Sequence, residues 1–244
     1  MRSEFSAFWS LALQISPQSL CFSTMLALGD YEHIIWDWNG TLLNDCELCV
    51  DVMNGILTRR SMPRLSIDDY RANFNFPVRD YYEWLGFHED DTFEDVSHEF
   101  IDGMTLRKLE PPLHHGVAKL LRQLHDQLVD QVILSAHKQD TLEVIVQHYG
   151  ISHYFDHIIG LDNIYAEGKT ENGLAHFATL PHEPHEILLI GDTLHDAEVA
   201  KAMEVDCLLV AHGHQSEERL KQAGYPIIHS FDQIDIHGAQ SITH

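Results

Sequence analysis

Basic residues are scarce in this chain: 15 lysines and arginines stand against 38 aspartates and glutamates, a formal charge of -23 over 244 residues. An envelope that acidic repels nucleic acid and anionic lipid, so neither is an expected partner. Any bound anion must be held by something local, such as a metal ion, a lysine or backbone N–H groups. Cysteine is scarce too. There are four, and although Cys46 and Cys49 form a C-x-x-C, no second pair stands at zinc spacing. That excludes a disulfide framework and suits a reducing compartment. Long apolar runs are also missing. The early stretch "FSAFWSLALQISPQSLCF" belongs to a segment broken by Glu4, Gln14, Pro17 and Gln18. It falls short of the roughly 20 apolar residues of a membrane span. The expectation is a cytoplasmic protein without a membrane partner, with residues 1–30 and 237–244 as tails outside the fold. Histidine is plentiful, at 19 residues, but scattered, as surface and packing histidines are.

From His33 onward, short apolar strands alternate with amphipathic helices, the pattern of a parallel sheet with crossover helices. The strand candidates are "HIIWDW" (33–38), "QVILSA" (131–136), "HIIGL" (157–161), "EILLIGD" (186–192), "CLLVA" (207–211) and a weaker "PIIHS" (226–230). Helices are expected over 116–128, 139–150, 170–180 and 193–204. Residues 45–109 break the alternation and read as mostly helical, too long a stretch for a structureless loop. The predicted fold is α/β: a Rossmann-like core of residues 31–44 and 110–236, with 45–109 inserted as a helical cap.

In open parallel sheets, ligands bind at the carboxyl ends of the strands. Those ends carry Asp37, Ser135 and Asp192, with Asp196 four residues past Asp192 and Lys169 in the glycine-flanked loop "AEGKTENG". Singly, each has an ordinary reading as a cap, a turn or a solvated charge. Together on one sheet edge they suit phosphoryl transfer. A carboxylate attacks phosphorus, and because nucleophile and substrate are both anionic, a cation must screen them. Mg²⁺ accepts carboxylate, carbonyl and phosphate oxygens together.

In their order along the chain, "DWNGTLLND" (37–45), "VILSAHK" (132–138), "GKTENG" (168–173) and "LLIGDTLHDAEVA" (189–201) resemble the four motifs of the haloacid dehalogenase superfamily. The insert's place directly after the first motif is similar to that in phosphoglycolate phosphatase and its relatives. The resemblance implies a fold with this core and cap, and a role for each matching position. Asp37 would be nucleophile and metal ligand, Asn39 would offer its carbonyl to Mg²⁺, and Asp192 would complete the ligand set. Ser135, Ala136, Gly40, Thr41 and Lys169 would bind phosphate, Lys169 also steadying Asp37, while Asp196 would support the metal's waters or Lys169. The implied partner is a small phosphorylated metabolite, for a monomer or homodimer.

The chain departs from the resemblance at Asn39, where phosphatases of this superfamily usually carry a second, proton-transferring Asp. General acid–base catalysis is worth about 10²–10⁴ in rate. A slow phosphotransferase or a weakly catalytic phospho-metabolite binder is therefore the alternative, and His137 is a candidate substitute for the missing acid. Phosphonoacetaldehyde hydrolase has a similar first motif but needs a cap lysine. Residues 45–107 contain no lysine, and Lys108 stands at the hinge. Dehalogenases dispense with the metal acids kept here. Arg59, Arg60, Arg64, Arg71 and Arg79 are either readers of an anionic substrate or, for most of them, partners of nearby acids.

Overall fold

The computed structural model describes residues 26–29, 31–87, 93–162 and 168–236. The strands are β1 Leu26–Ala27, β2 His33–Trp36, β3 Asp130–Lys138, β4 His157–Leu161, β5 Ile187–Gly191, β6 Asp206–Val210, β7 Ile227–Ile228 and β8 Ile234–Asp235. Six of them form an all-parallel sheet in the order β4-β3-β2-β5-β6-β7. The helices are α1 Cys46–Arg59, α2 Ile67–Asn73, α3 Val78–Leu85, α4 Phe93–Arg107, α5 Val117–Asp126, α6 Gln139–His148, α7 Lys169–Phe177, α8 Leu194–Met203 and α9 Glu217–Leu220.

A parallel sheet covered on both faces needs strands that are apolar at consecutive positions. "HIIW" and "ILLIG" are buried throughout. Ile34, Trp36, Ile133 and Ile190 point into one core with Leu121 of α5 and Ile145 of α6. Ile35, Val132, Leu134 and Leu189 point the other way, against Val199 and Met203 of α8. One buried polar group crosses the first core: Gln131 accepts from Trp36 Nε1 at 3.1 Å and donates to the Leu121 carbonyl at 3.0 Å. The four helices α1–α4 gather around a third cluster, which includes Met53, Ile56, Tyr70, Tyr81 and Val96.

Three expectations need correction. The first strand ends at Trp36, not at residue 38, because its ladder partners Ile133 and Ile190 are the last in register. Asp37 N still donates to the Ile190 carbonyl at 2.9 Å, and the chain then turns away. The last strand shrinks to Ile227–Ile228. The expected N-terminal tail is partly in the fold: Leu26–Ala27 pair in parallel with β8, and Leu28 is buried in the first core. The rest of the expected tails, residues 1–25, 30 and 237–244, lie outside the described residues. Among those described, no helix is long and apolar enough to cross a membrane.

Candidate active site

Strand β2 delivers Asp37 to a tight turn in which Leu42 N and Leu43 N both donate to the Trp38 carbonyl, at 3.0 and 2.9 Å. Gly40 takes φ +75, and a side chain there would run into the Asp192 carboxylate and the His214 ring. Strand β5 delivers Asp192, and a Cβ at Gly213 would likewise strike its carboxylate. Two glycines thus let backbone approach one acid from both sides.

Lys169, the first residue of α7, follows the left-handed Gly168. Its buried ammonium donates to Asp37 Oδ1 and Asp196 Oδ1, each at 2.5 Å. Asp196 is fixed by α8: Thr193 is the N-cap, and Asp196 Oδ2 accepts from Thr193 N at 3.0 Å and Thr193 Oγ1 at 2.7 Å. Thus the capping role open to this segment and a role in the site coexist. Ligand atoms of Asp37, Asp192 and Asp196 lie within 4.8 Å of one another.

The electrostatics follow from three buried carboxylates sharing one lysine. Burial raises Asp37 well above the usual carboxylate range, and Asp196 and Asp192 add to the push while Lys169 opposes it. Asp192 is raised to about 6 by burial, with Asp196 raising it further and His214 drawing it down. Burial also works on Asp196, but there Lys169 wins and holds it low. Against the opposing effect of burial, Asp196 and Asp37 hold the Lys169 ammonium above the ordinary lysine value. Two acids that resist ionising beside a single cation form a set short of positive charge. A divalent cation with oxygen ligands fits it.

Ser135 is buried within β3, where the pairing with β4 becomes irregular, and its Oγ accepts from His137 N at 3.0 Å. Ser135, Ala136 and His137 line the same cavity as Asp37, Asn39 and Lys169, a space of about 490 Å³. The other expected phosphate ligands are committed elsewhere. Gly40 N donates to Asp45 Oδ1 at 2.9 Å, and Thr41 Oγ1 donates to Asp192 Oδ1 at 2.9 Å, so both groups brace the site's acids. Burial lowers His137 below the ordinary histidine value, with Asp45 opposing and Lys108 adding to the effect. That weakens it as the substitute proton donor.

Sequence reasoning missed Asp45 and His214. Asp45, the residue before α1, accepts from Asn39 Nδ2 at 2.7 Å and lies 3.3 Å from His214 Nε2. The other nitrogen of His214 meets Tyr70 OH at 2.8 Å and Cys46 Sγ at 3.4 Å, and its backbone N donates to Asp192 Oδ2 at 2.5 Å. Burial alone would neutralise both partners. Instead His214 holds Asp45 low, and Cys46 with Asp45 hold His214 well above its ordinary value. A signal for His214 existed, since "AHGHQ" follows directly on β6 at the carboxyl edge.

The arginines mostly pair with acids, as their second reading had it. Arg59 and Arg60 reach Glu99, and Arg79 lies 3.7 Å from Glu94. Arg71 is different: it donates to the carbonyls of Gly213 at 2.9 Å and His212 at 3.0 Å. Alongside it, Ser216 N donates to the Arg71 carbonyl at 2.9 Å, and Gln215 and Arg219 both donate to the Phe74 carbonyl. These bonds fasten α2 to the loop after β6. Lys108 and Lys138 line the cavity beside the aromatic Phe74, Phe76 and Tyr81.

A six-stranded parallel sheet that brings a buried lysine and three acids together at its carboxyl edge is the frame of an α/β enzyme with a Rossmann-like core. The haloacid dehalogenase-like hydrolase family matches residues 34–210, and the chain belongs to that family. It is 24% identical over 204 residues to the pyrophosphatase PpaX of Listeria monocytogenes, a match covering 80% of this chain and 89% of the relative. It is 26% identical over 124 residues to the tyrosine-protein kinase PtkA of Mycobacterium tuberculosis, covering 50% of this chain and only 43% of that relative's length. A crystal structure of a predicted phosphoglycolate phosphatase from Haemophilus somnus shares the fold, with a TM-score of 0.67 at 17% identity over 83% of this chain and 95% of the other. Membership of this family typically brings a metal requirement, which the three acids suit.

Proposed function

We propose that the protein is a Mg²⁺-dependent phosphatase of small, phosphoglycolate-like monoesters, working through an aspartyl-phosphate at Asp37. The observation that carries this reading is Lys169 bridging Asp37 and Asp196 with Asp192 alongside, at the carboxyl edge of the sheet. Asp37, Asp192 and the Asn39 carbonyl would hold the ion, which supplies screening of the two anions and withdraws charge from the phosphoryl oxygens. Lys169 aims Asp37 and opposes the effect of burial on its carboxyl, and with Ser135 it would bind the phosphoryl oxygens. The Asp37 carboxylate forms its bond to phosphorus as the ester P–O bond breaks. Water then cleaves the acyl phosphate and regenerates Asp37. Helices α1–α4 act as the inserted cap and close the cavity, where Lys108 offers a charge for a second anionic group of the substrate.

Asn39 favours a second reading, phosphoryl transfer or retention. Its amide is spent as a donor to Asp45, so the departing alkoxide and the attacking water both lack the usual proton partner. PtkA, whose name is that of a kinase, is among the relatives. Phosphate release from a panel of small esters, with and without Mg²⁺ and with an added alcohol, tests both readings. Hydrolysis abolished in Asp37→Asn supports the first, and phosphate appearing on the alcohol supports the second. Turnover that survives Asp37→Asn would overturn both.

A further inference from the structure

The end of the sheet opposite the catalytic edge gathers histidines that are far apart in sequence. His33 opens β2, Asp130 opens β3, His157 opens β4, His176 lies on α7, and His182 precedes β5. His33 and His176 face each other through their Nε2 atoms at 3.4 Å. The His33 ring lies 5.4 Å from that of His176 and 5.5 Å from that of His182, centroid to centroid. His182 Nε2 is 3.1 Å from Asp130 Oδ2, and its Nδ1 is 3.5 Å from Glu32 Oε2. One ligand atom each from His33, Asp130 and His182 falls within 4.8 Å of the others.

We propose that His33, His182 and Asp130 form a second, transition-metal site, of Zn²⁺ type, at the amino edge of the sheet. The proposal is independent of the phosphatase reading. Its chemistry begins with His33, which is 2% exposed and whose Nδ1 is buried without a hydrogen-bond partner. A neutral imidazole has one N–H and one lone pair. When Nε2–H donates to His176, Nδ1 is left as a bare lone pair, and a ligating histidine is characteristically oriented by such a bond from its other nitrogen. Burial, then His176 and His182, hold His33 down at about 4, so it stays neutral and able to ligate at physiological pH. Two imidazoles and a carboxylate are a zinc-type donor set that leaves a fourth position for water, while Mg²⁺ prefers oxygen alone. Asp130 and Glu32 are exposed, so the ion has a path from solvent. Bound there, it would tie together the starts of β2 and β3 and the segment entering β5.

The test is Zn²⁺ binding to the full chain in excess Mg²⁺, followed by Co²⁺ substitution. Wild type and Asp37→Asn are expected to take one Zn²⁺ each with equal affinity, while His182→Ala and Asp130→Asn bind at least tenfold more weakly. Zn²⁺ should raise Tm in wild type and not in His182→Ala. Circular dichroism of the zinc-free variants matching wild type shows that the loss is not one of folding. The Co²⁺ spectrum should lack a thiolate charge-transfer band, which separates this site from the Asp45, Cys49 and His214 cluster. Unchanged affinity in both His182→Ala and Asp130→Asn, loss in Asp37→Asn, or a thiolate band would each overturn the proposal.

Discussion

Asn39 donates its amide to Asp45, and under the proposed phosphatase reading activity turns on that pair. Asp45 is an anion surrounded by donors: the Asn39 amide, Gly40 N and His214. An aspartate at position 39 would set a second carboxyl against it at hydrogen-bond distance, and one of the two must then keep its proton. Asn39→Asp is therefore expected to lower stability by roughly 1–3 kcal/mol, the cost of spoiling a buried charge-assisted bond, while giving the site a protonated acid. Asn39→Asp combined with Asp45→Asn restores a donor–acceptor pair with the polarity reversed. Chemical denaturation should show the double variant recovering most of the lost stability. Single-turnover kinetics should show phosphoenzyme breakdown up to 10²–10⁴ faster than wild type, the usual range of acid–base assistance. That Asp37, Ser135, Lys169, Asp192 and Asp196 share one edge of the sheet was legible in the sequence, because each lies near the end of an apolar run or the start of a helix. Asp45 was not, because it lies beyond the turn and gains its meaning from His214, a partner brought in by a different strand.

Among the elements, α8 shows how local signals and site chemistry share residues. Thr193 caps the helix, and Asp196 returns the bond in a capping box while facing Lys169. Thr193→Ala should cost about 1 kcal/mol in urea unfolding, the usual value of an N-cap. It should also free Asp196 to swing, raising the Mg²⁺ concentration needed for half-maximal activity. The strand over 157–161 and the start of α6 at Gln139 fall where the sequence placed them, because apolar runs and helix starts are local signals. The end of β2 at Trp36 is set by neighbouring strands, and β1 pairs with a strand at the other end of the chain, which no local pattern records.

At the scale of the whole molecule, nineteen histidines that look dispersed in the sequence turn out to be partly gathered by the sheet. His114 stacks on His212 with ring centroids 3.8 Å apart, and burial followed by His212 lowers it to about 3. The folded protein thus refuses a proton that the unfolded chain accepts near the ordinary value of 6.5. Stability is complete above that pH and is lost as pH falls through it toward 3. Thermal melts should show Tm dropping between pH 7 and 5, with a shallower slope in His114→Phe. Equal slopes would contradict the assignment.

The bonds from Arg71, Gln215, Ser216 and Arg219 that fasten α2 to the loop after β6 make one side of the cavity a fixed jamb. Helices α3 and α4 lack that row of fastenings among the described residues and form the free leaf, with Trp84 half exposed on α3. Substrate is expected to enter on their side, past Lys108 at the foot of α4.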